Sequence, residues 1–235
     1  IAPVDDESVV KNHLDKAENT LVEMEKVLRG PAFRDPTACF VDARMKKYGG
    51  KDVFVMESNM TLPFSARATA NTIWKVMATG KLKNHCDDHR VLHESDTLLS
   101  QAFDIHLAMD AFVADFRCKY TLSRFEEDFR RVIVWVTQYE PIQMNGLQYR
   151  NIHCQQIGWI ELKTLEVAGM ETTLARSYSS LTVEFEDGAD NRELQIRSLL
   201  NLALPIHEKV GGWCSSLVET ALIEEDCKLH MEQFS

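Results

Sequence analysis

Over residues 103–109 and 112–122 apolar residues recur at every second position, and after Asp190 they recur at every third or fourth. This change of period constrains the fold more than any other feature. Alternation describes strands with one buried and one wet face, and a period near 3.6 describes a helix. Phe103, Ile105, Leu107 and Met109 alternate with Asp104, His106 and Ala108. Phe112, Ala114, Phe116, Cys118, Tyr120 and Leu122 alternate with Val113, Asp115, Arg117, Lys119 and Thr121. Val132 to Tyr139 is apolar on both sides, with Ile133, Val134, Trp135 and Val136 in a row, and reads as a central strand. A loop over Pro141 to Gln148 leads to two more strands, Tyr149 to Lys163 and Thr172 to Phe185, and Asp187-Gly188 makes the final turn.

The last element is a long amphipathic helix. Asp190 and Glu193 have the spacing of a capping box, and Ile196, Leu199, Leu200, Ala203, Ile206, Val210, Trp213, Cys214, Leu217, Val218 and Ala221 trace its apolar stripe. Pro205 should kink it and Gly211-Gly212 should soften it. Upstream, Phe54, Met56, Met60 and Leu62 share one face of a strand that Pro63 closes, and Ser65 caps a helix carrying Ala68, Ile73, Val76 and Met77. A polar, histidine-rich loop follows, with Val91-Leu92 as a short strand. At the start of the chain Val10, Leu14, Ala17, Leu21, Met24 and Leu28 form a narrow helical seam that Gly30-Pro31 ends. Such a seam suits either a coiled coil, with a helix partner or a second copy along residues 10–28, or a helix laid along its own domain. The expected organisation is an amphipathic helix over 4–30, an irregular linker over 31–50 and one domain over 51–227.

Charge and composition exclude several functions. Asp and Glu outnumber Lys and Arg by 36 to 26, a net charge of −10, which argues against a nucleic-acid surface. No apolar run has the length of a membrane span, and the opening residues Ile1, Ala2, Pro3 and Asp5 lack the layout of a signal peptide. The six cysteines, at 39, 86, 118, 154, 214 and 227, are widely spaced and never form Cys-x-x-Cys. Free thiols in the cytoplasm or another reducing compartment are the simplest reading. The sequon Asn59-Met60-Thr61 does not by itself indicate secretion.

Strand, helix, further strands in meander order and one terminal helix make an α+β helix-grip fold, with about seven antiparallel strands wrapped around the last helix. Here the sequence resembles the START-like superfamily, the steroidogenic-acute-regulatory-related lipid transfer proteins, and in texture its divergent oomycete members. The carrying residues are Leu62-Pro63-Phe64-Ser65 with Thr72-Ile73-Trp74, Asp110-Ala111-Phe112-Val113 with Arg117, and Gly158-Trp159-Ile160, together with the helix after Asp190. The resemblance implies non-enzymatic binding of a hydrophobic small molecule, of the lipid or sterol class, between sheet and terminal helix. Candidate wall residues by alternation are Phe103, Ile105, Leu107, Phe116, Cys118, Tyr120, Val134 and Val136, facing Leu199, Ala203, Ile206, Val210 and Trp213. Such a stripe is more often plain core than pocket, which would leave a regulatory or partner-binding scaffold that acts through its N-terminal helix. Some members of the superfamily are polyketide cyclases or aromatases, and Tyr120 is the inward polar group here that fits such chemistry.

No phosphate-binding glycine loop, nucleophile elbow or His-Glu-x-x-His motif occurs, and no cofactor or catalytic residue is assigned. His85, Cys86, His89 and His93 have spacing that zinc could use, although an exposed loop is the ordinary reading. Asp104, His106, Asp115 and Arg117 alternate onto the opposite face from the apolar set, where solvated sheet surface is expected.

Overall fold

The computed structural model describes residues 6–78, 86–109, 112–186, 192–199, 216–224 and 227. A first helix, α1 (Asp6–Leu28), leads through a 3₁₀ turn at Pro31–Phe33 into β1 (Phe40–Tyr48) and β2 (Lys51–Leu62). Helix α2 (Ala66–Ala78) follows, with the Ala68 amide donating to Ser65 Oγ at 3.2 Å, the cap expected from the sequence. Then come β3 (Cys86–Glu94), β4 (Leu98–Met109), β5 (Phe112–Glu127), β6 (Arg130–Met144), β7 (Leu147–Gln148), β8 (Ile152–Val167) and β9 (Met170–Phe185). Residues 192–199 and 216–224 are helical. Pro205, Gly211 and Gly212 lie outside the described residues, and with them the expected kink.

The nine strands form one open antiparallel sheet in the order β1-β2-β9-β8-β6-β5-β4-β3, with β7 paired to β6. One face carries α2 and the terminal helical residues; the other carries α1. On the α2 face, Ala66, Ala70 and Ile73 pack with Leu99, Leu122, Ile133, Leu162 and Ala175. Leu199 enters a neighbouring cluster with Phe103, Phe116, Cys118 and Cys154, and Val218 packs against the α2 cluster. This is the helix-grip arrangement. On the α1 face, Ala17 and Met24 pack with Phe33, Val132, Val134, Val136 and Trp159.

Three regions differ from the sequence expectation. Residues 31–50 are not an irregular linker. Phe33 is buried beside Trp159, with ring centroids 6.1 Å apart, and β1 runs in unbroken register along β2 through the turn at Gly49-Gly50. Along β1 Val41, Ala43 and Met45 alternate with Asp42, Arg44 and Lys46, a short pattern that Lys47 interrupts. The histidine-rich stretch is likewise an edge strand, β3, broken by register shifts between Asp87/Arg90 and Val91/His93. Pro141 to Gln148 forms the end of β6, a turn at Asn145-Gly146 with φ of 49° and 80°, and β7.

Helix α1 lies along its own sheet. Its buried residues are Val9, His13, Ala17 and Met24, so the buried line includes part of the seam and shifts by one residue at Val10 and Leu14. Arg130 ties the helix to the sheet by donating to Glu25 at 2.5 Å. The sequon Asn59 is fully buried and its amide nitrogen donates to the carbonyls of Asp35, Pro36 and Ala38.

Candidate ligand-binding face

Cross-strand register decides which side chains meet, because directly paired residues point the same way. Cys118 pairs with Tyr139 and Tyr139 with Cys154, which sets three side chains in a row across β5, β6 and β8. Leu122 pairs with Trp135, and Trp135 with Gly158. All of these share the α2 face. Phe103, Phe116, Tyr149, Ile152 and Leu199 join Cys118 and Cys154 there, with Ile105, Leu107, Tyr120, Leu181, Val183 and Phe185 packed against them.

The same register corrects two predicted wall residues. Val134 pairs with Ser123, and Val136 with Thr121, so both point to the α1 face and pack with Ala17, Met24 and Trp159. Alternation could not fix their phase, because β6 is covered on both faces and apolar at consecutive positions. Ile133, Trp135 and Tyr139, which alternation did not single out, point to the α2 face instead. Phe103, Ile105, Leu107, Phe116, Cys118, Tyr120 and Leu199 are brought together on one face. Ala203, Ile206, Val210 and Trp213 lie outside the described residues.

Few polar groups interrupt this face, and those present are neutral or paired. Tyr139 donates to Gln156 Oε1 at 3.1 Å and stands edge-on to Phe116. Burial holds its phenol well above the ordinary value, with Cys118 and Cys154 adding to the shift. Burial also pushes the Cys154 thiol up to about 12, so it stays protonated. Ser58 and Ser177 share a hydrogen bond of 2.6 Å on the same face.

Among the described residues Arg124 Nε and Thr69 Oγ1 beside α2 lack a hydrogen-bond partner, but the group next to the Phe103 cluster is His89. Its ring stacks on Phe103 at 6.4 Å between centroids, and its Nε2 is buried without a hydrogen-bond partner among the described residues. An unmatched buried nitrogen costs about 1–3 kcal/mol unless something satisfies it. Sequence reasoning grouped His89 with His85, Cys86 and His93 as one constellation. The structure separates it from exposed His93 and turns it towards the apolar cluster. Among the described residues no group of His, Cys, Asp or Glu could hold a metal ion. His85 lies outside them.

Gly158 has a close-packing reason to be glycine. A Cβ there would lie 2.6 Å from Ser179 Cβ and closer still to the Trp135 indole. Trp135 therefore lies over bare backbone.

The opposite surface is polar, as expected for Asp104, His106, Asp115 and Arg117. His106 Nδ1 lies 2.6 Å from Asp115 Oδ1, while Arg117 reaches Glu140 at 3.1 Å and Asp104 at 3.8 Å. A groove of about 420 Å³ runs between α1 and the sheet there, lined by Asn12, His13, Lys16, Gln138, Gln155 and Glu184 among others. Its character is polar, unlike that of the α2 face. Cys39, Cys118, Cys154 and Cys227 are free thiols. No helix among the described residues is long and apolar enough to cross a membrane.

No known protein family and no curated protein matches this chain by sequence. Solved structures resemble it at low identity. The aromatase/cyclase Zhui from Streptomyces sp. R1128 is 12% identical over 72% of this chain and 93% of its own, with a TM-score of 0.42. A STAR-related lipid transfer protein fragment from Xanthomonas axonopodis is 12% identical over 77% and 98%, with a TM-score of 0.41. Human STARD10 is 9% identical over 82% and 78%, with a TM-score of 0.42. Identities this low transfer no site residue. The START-like resemblance of this chain is one of element order and of terminal helix on sheet.

Proposed function

We propose that the chain binds a hydrophobic small molecule, of the lipid or sterol class, on the α2 face beneath its terminal helix, and carries or senses it without chemical change. The observation that supports this most is the combination of an extended apolar face with an unmatched buried nitrogen beside its Phe103 cluster, His89 Nε2. An apolar body would gain roughly 25 cal/mol for each Å² buried against Phe103, Phe116 and Leu181. A hydroxyl or carbonyl on that body would satisfy His89, whose two ring nitrogens allow it to donate or accept. Neutral Tyr139 and Cys154 keep the wall free of charge, which favours a neutral ligand.

A second reading keeps the face as filled core. Cys118 and Ala114 are fully buried already, as in a packed interior. Native mass spectrometry of the full chain, with solvent extraction of anything bound, separates the two. A copurifying neutral lipid, together with a rise in melting temperature of roughly 5–10 °C when such a lipid is added at a hundredfold excess over Kd, is the expected result. An empty protein whose melting temperature ignores a panel of sterols and phospholipids leaves the filled core as the answer.

A further inference from the structure

An open sheet ends in two edge strands, and here the two edges differ. β3 is interrupted by two register shifts, and Arg90 on it reaches Asp6 of α1 at 3.4 Å. Bulges and charge of this kind are how edges avoid pairing with other chains. β1 has neither bulge nor proline. Its nine residues keep one register along β2 from Phe40 to Tyr48, and no described residue pairs with its outer side. Val41, Met45 and Tyr48 on it are exposed at 70%, 46% and 52%.

The order of residues along β1 is complementary to itself. If a second copy of β1 pairs antiparallel with the two-fold axis at Arg44, Phe40 faces Tyr48, Asp42 faces Lys46 and Ala43 faces Met45. Each of these pairs occurs twice. They are an aromatic pair, an opposite-charge pair and an apolar pair, the combinations that stabilise antiparallel neighbours. Val41 would face Lys47, whose alkyl stem can cover it. The two Arg44 side chains meet at the axis, where Asp42 and Glu57 of each copy balance Arg44, which bonds both, and Lys46, which donates to Glu57 at 3.0 Å. Lysines on an edge strand ordinarily discourage pairing. In this register Lys46 meets a carboxylate instead.

We propose that β1 is a self-association edge, through which two copies of this chain join their sheets into one continuous antiparallel sheet. The interface is isologous, so it closes at a dimer. It uses the outer edge of β1 and not the seam of α1; Val41, Ala43 and Met45 lie at the rim of the α2 face, where Ala43 packs on Phe54 and Met56.

Sedimentation of the full chain over about 1–200 µM is expected to show a reversible monomer–dimer equilibrium. Val41→Lys places a lysine opposite Lys47 twice per dimer and is expected to weaken Kd roughly tenfold. Adding Lys47→Glu makes both pairs attractive and is expected to bring Kd back to within about threefold of the original. Both positions are exposed, but Lys47→Glu also gives up the 3.8 Å pair with Asp52 on β2, so urea denaturation of each variant confirms that the fold is kept. Hydrogen exchange on the unaltered chain gives an independent reading: β1 amides should gain protection as concentration rises. A chain that stays monomeric throughout overturns the proposal. So does a dimer indifferent to Val41→Lys, one not restored by the second change, or β1 amides that gain no protection.

Discussion

Mild acid should loosen the attachment of α1 through one residue. His13 is almost fully buried beneath the helix, with Nδ1 2.8 Å from Thr121 Oγ1, which in turn lies 2.9 Å from Ser100 Oγ. Burial lowers its pKa from 6.5 to about 4, and the cations of Lys16 and Lys119 add to the effect. The unfolded chain therefore takes up the proton first. The stability that neutral His13 contributes is complete at neutral pH and is lost as the pH falls from 6.5 towards 4. At 1.36 kcal/mol per unit, the loss reaches about 2 kcal/mol at pH 5 and about 3 kcal/mol below pH 4. Urea denaturation of the full chain and of His13→Gln, each at pH 7 and pH 5, measures it. Glutamine can still bond Thr121 but does not titrate. Carboxylates held low by their partners, such as Glu25 beside Arg130, contribute equally to both proteins and cancel in the comparison. The native chain should lose about 2 kcal/mol more than the variant between the two pH values. Equal losses would refute the reasoning, because they would mean that His13 is solvated or already charged in the folded protein.

Other consequences are direct. Gly158→Ala drives a methyl into Trp135 and Ser179 and should destabilise by about 1–3 kcal/mol in the same denaturation assay. A neutral outcome would show that Trp135 does not lie over Gly158. Ala168, at φ 53° in the turn between β8 and β9, holds a left-handed conformation that its Cβ disfavours. Ala168→Gly should therefore be neutral or stabilise by up to about 1 kcal/mol, whereas the usual cost of glycine would contradict that turn geometry. Glu161 is fully buried, with Arg176 Nε at 2.8 Å and Arg130 and Lys163 each at 3.3 Å. Glu161→Gln leaves those cations facing one another and should cost about 3–5 kcal/mol, less in high salt; a loss below about 1 kcal/mol would place the carboxylate in water.

Alternation revealed strands wherever exactly one face is covered. It therefore found residues 103–109 of β4 and 112–122 of β5, though not the start of the one or the end of the other, and the shared face of Phe54, Met56, Met60 and Leu62. It failed where that condition fails. β6 is covered on both sides, so Val134 and Val136 could not be told from Ile133 and Trp135 until pairing with β5 fixed the phase. β3 is broken by two register shifts, and in β1 the alternation of Val41, Ala43 and Met45 with Asp42, Arg44 and Lys46 ends at Lys47. The row Cys118, Tyr139, Cys154 depends on register between three strands, which no single stretch of sequence contains. In α1 the narrow seam was legible, yet a histidine on its buried line reads as polar, and only the pair with Thr121 explains why it is there.

The central claim is that the α2 face receives an apolar ligand. Leu181 packs against both the Phe103 cluster and the Phe54–Met56 pair, so Leu181→Trp adds volume where that ligand would lie. His13→Gln alters only the opposite face and serves as the control. A fluorescent sterol and an acyl-labelled phospholipid should be titrated into all three proteins, with circular dichroism to confirm that each is folded. At least one probe should bind the native chain and the His13→Gln variant alike, and bind Leu181→Trp at least about tenfold more weakly, a loss of some 1.4 kcal/mol. Equal binding by all three, or none by the native chain, would contradict the account.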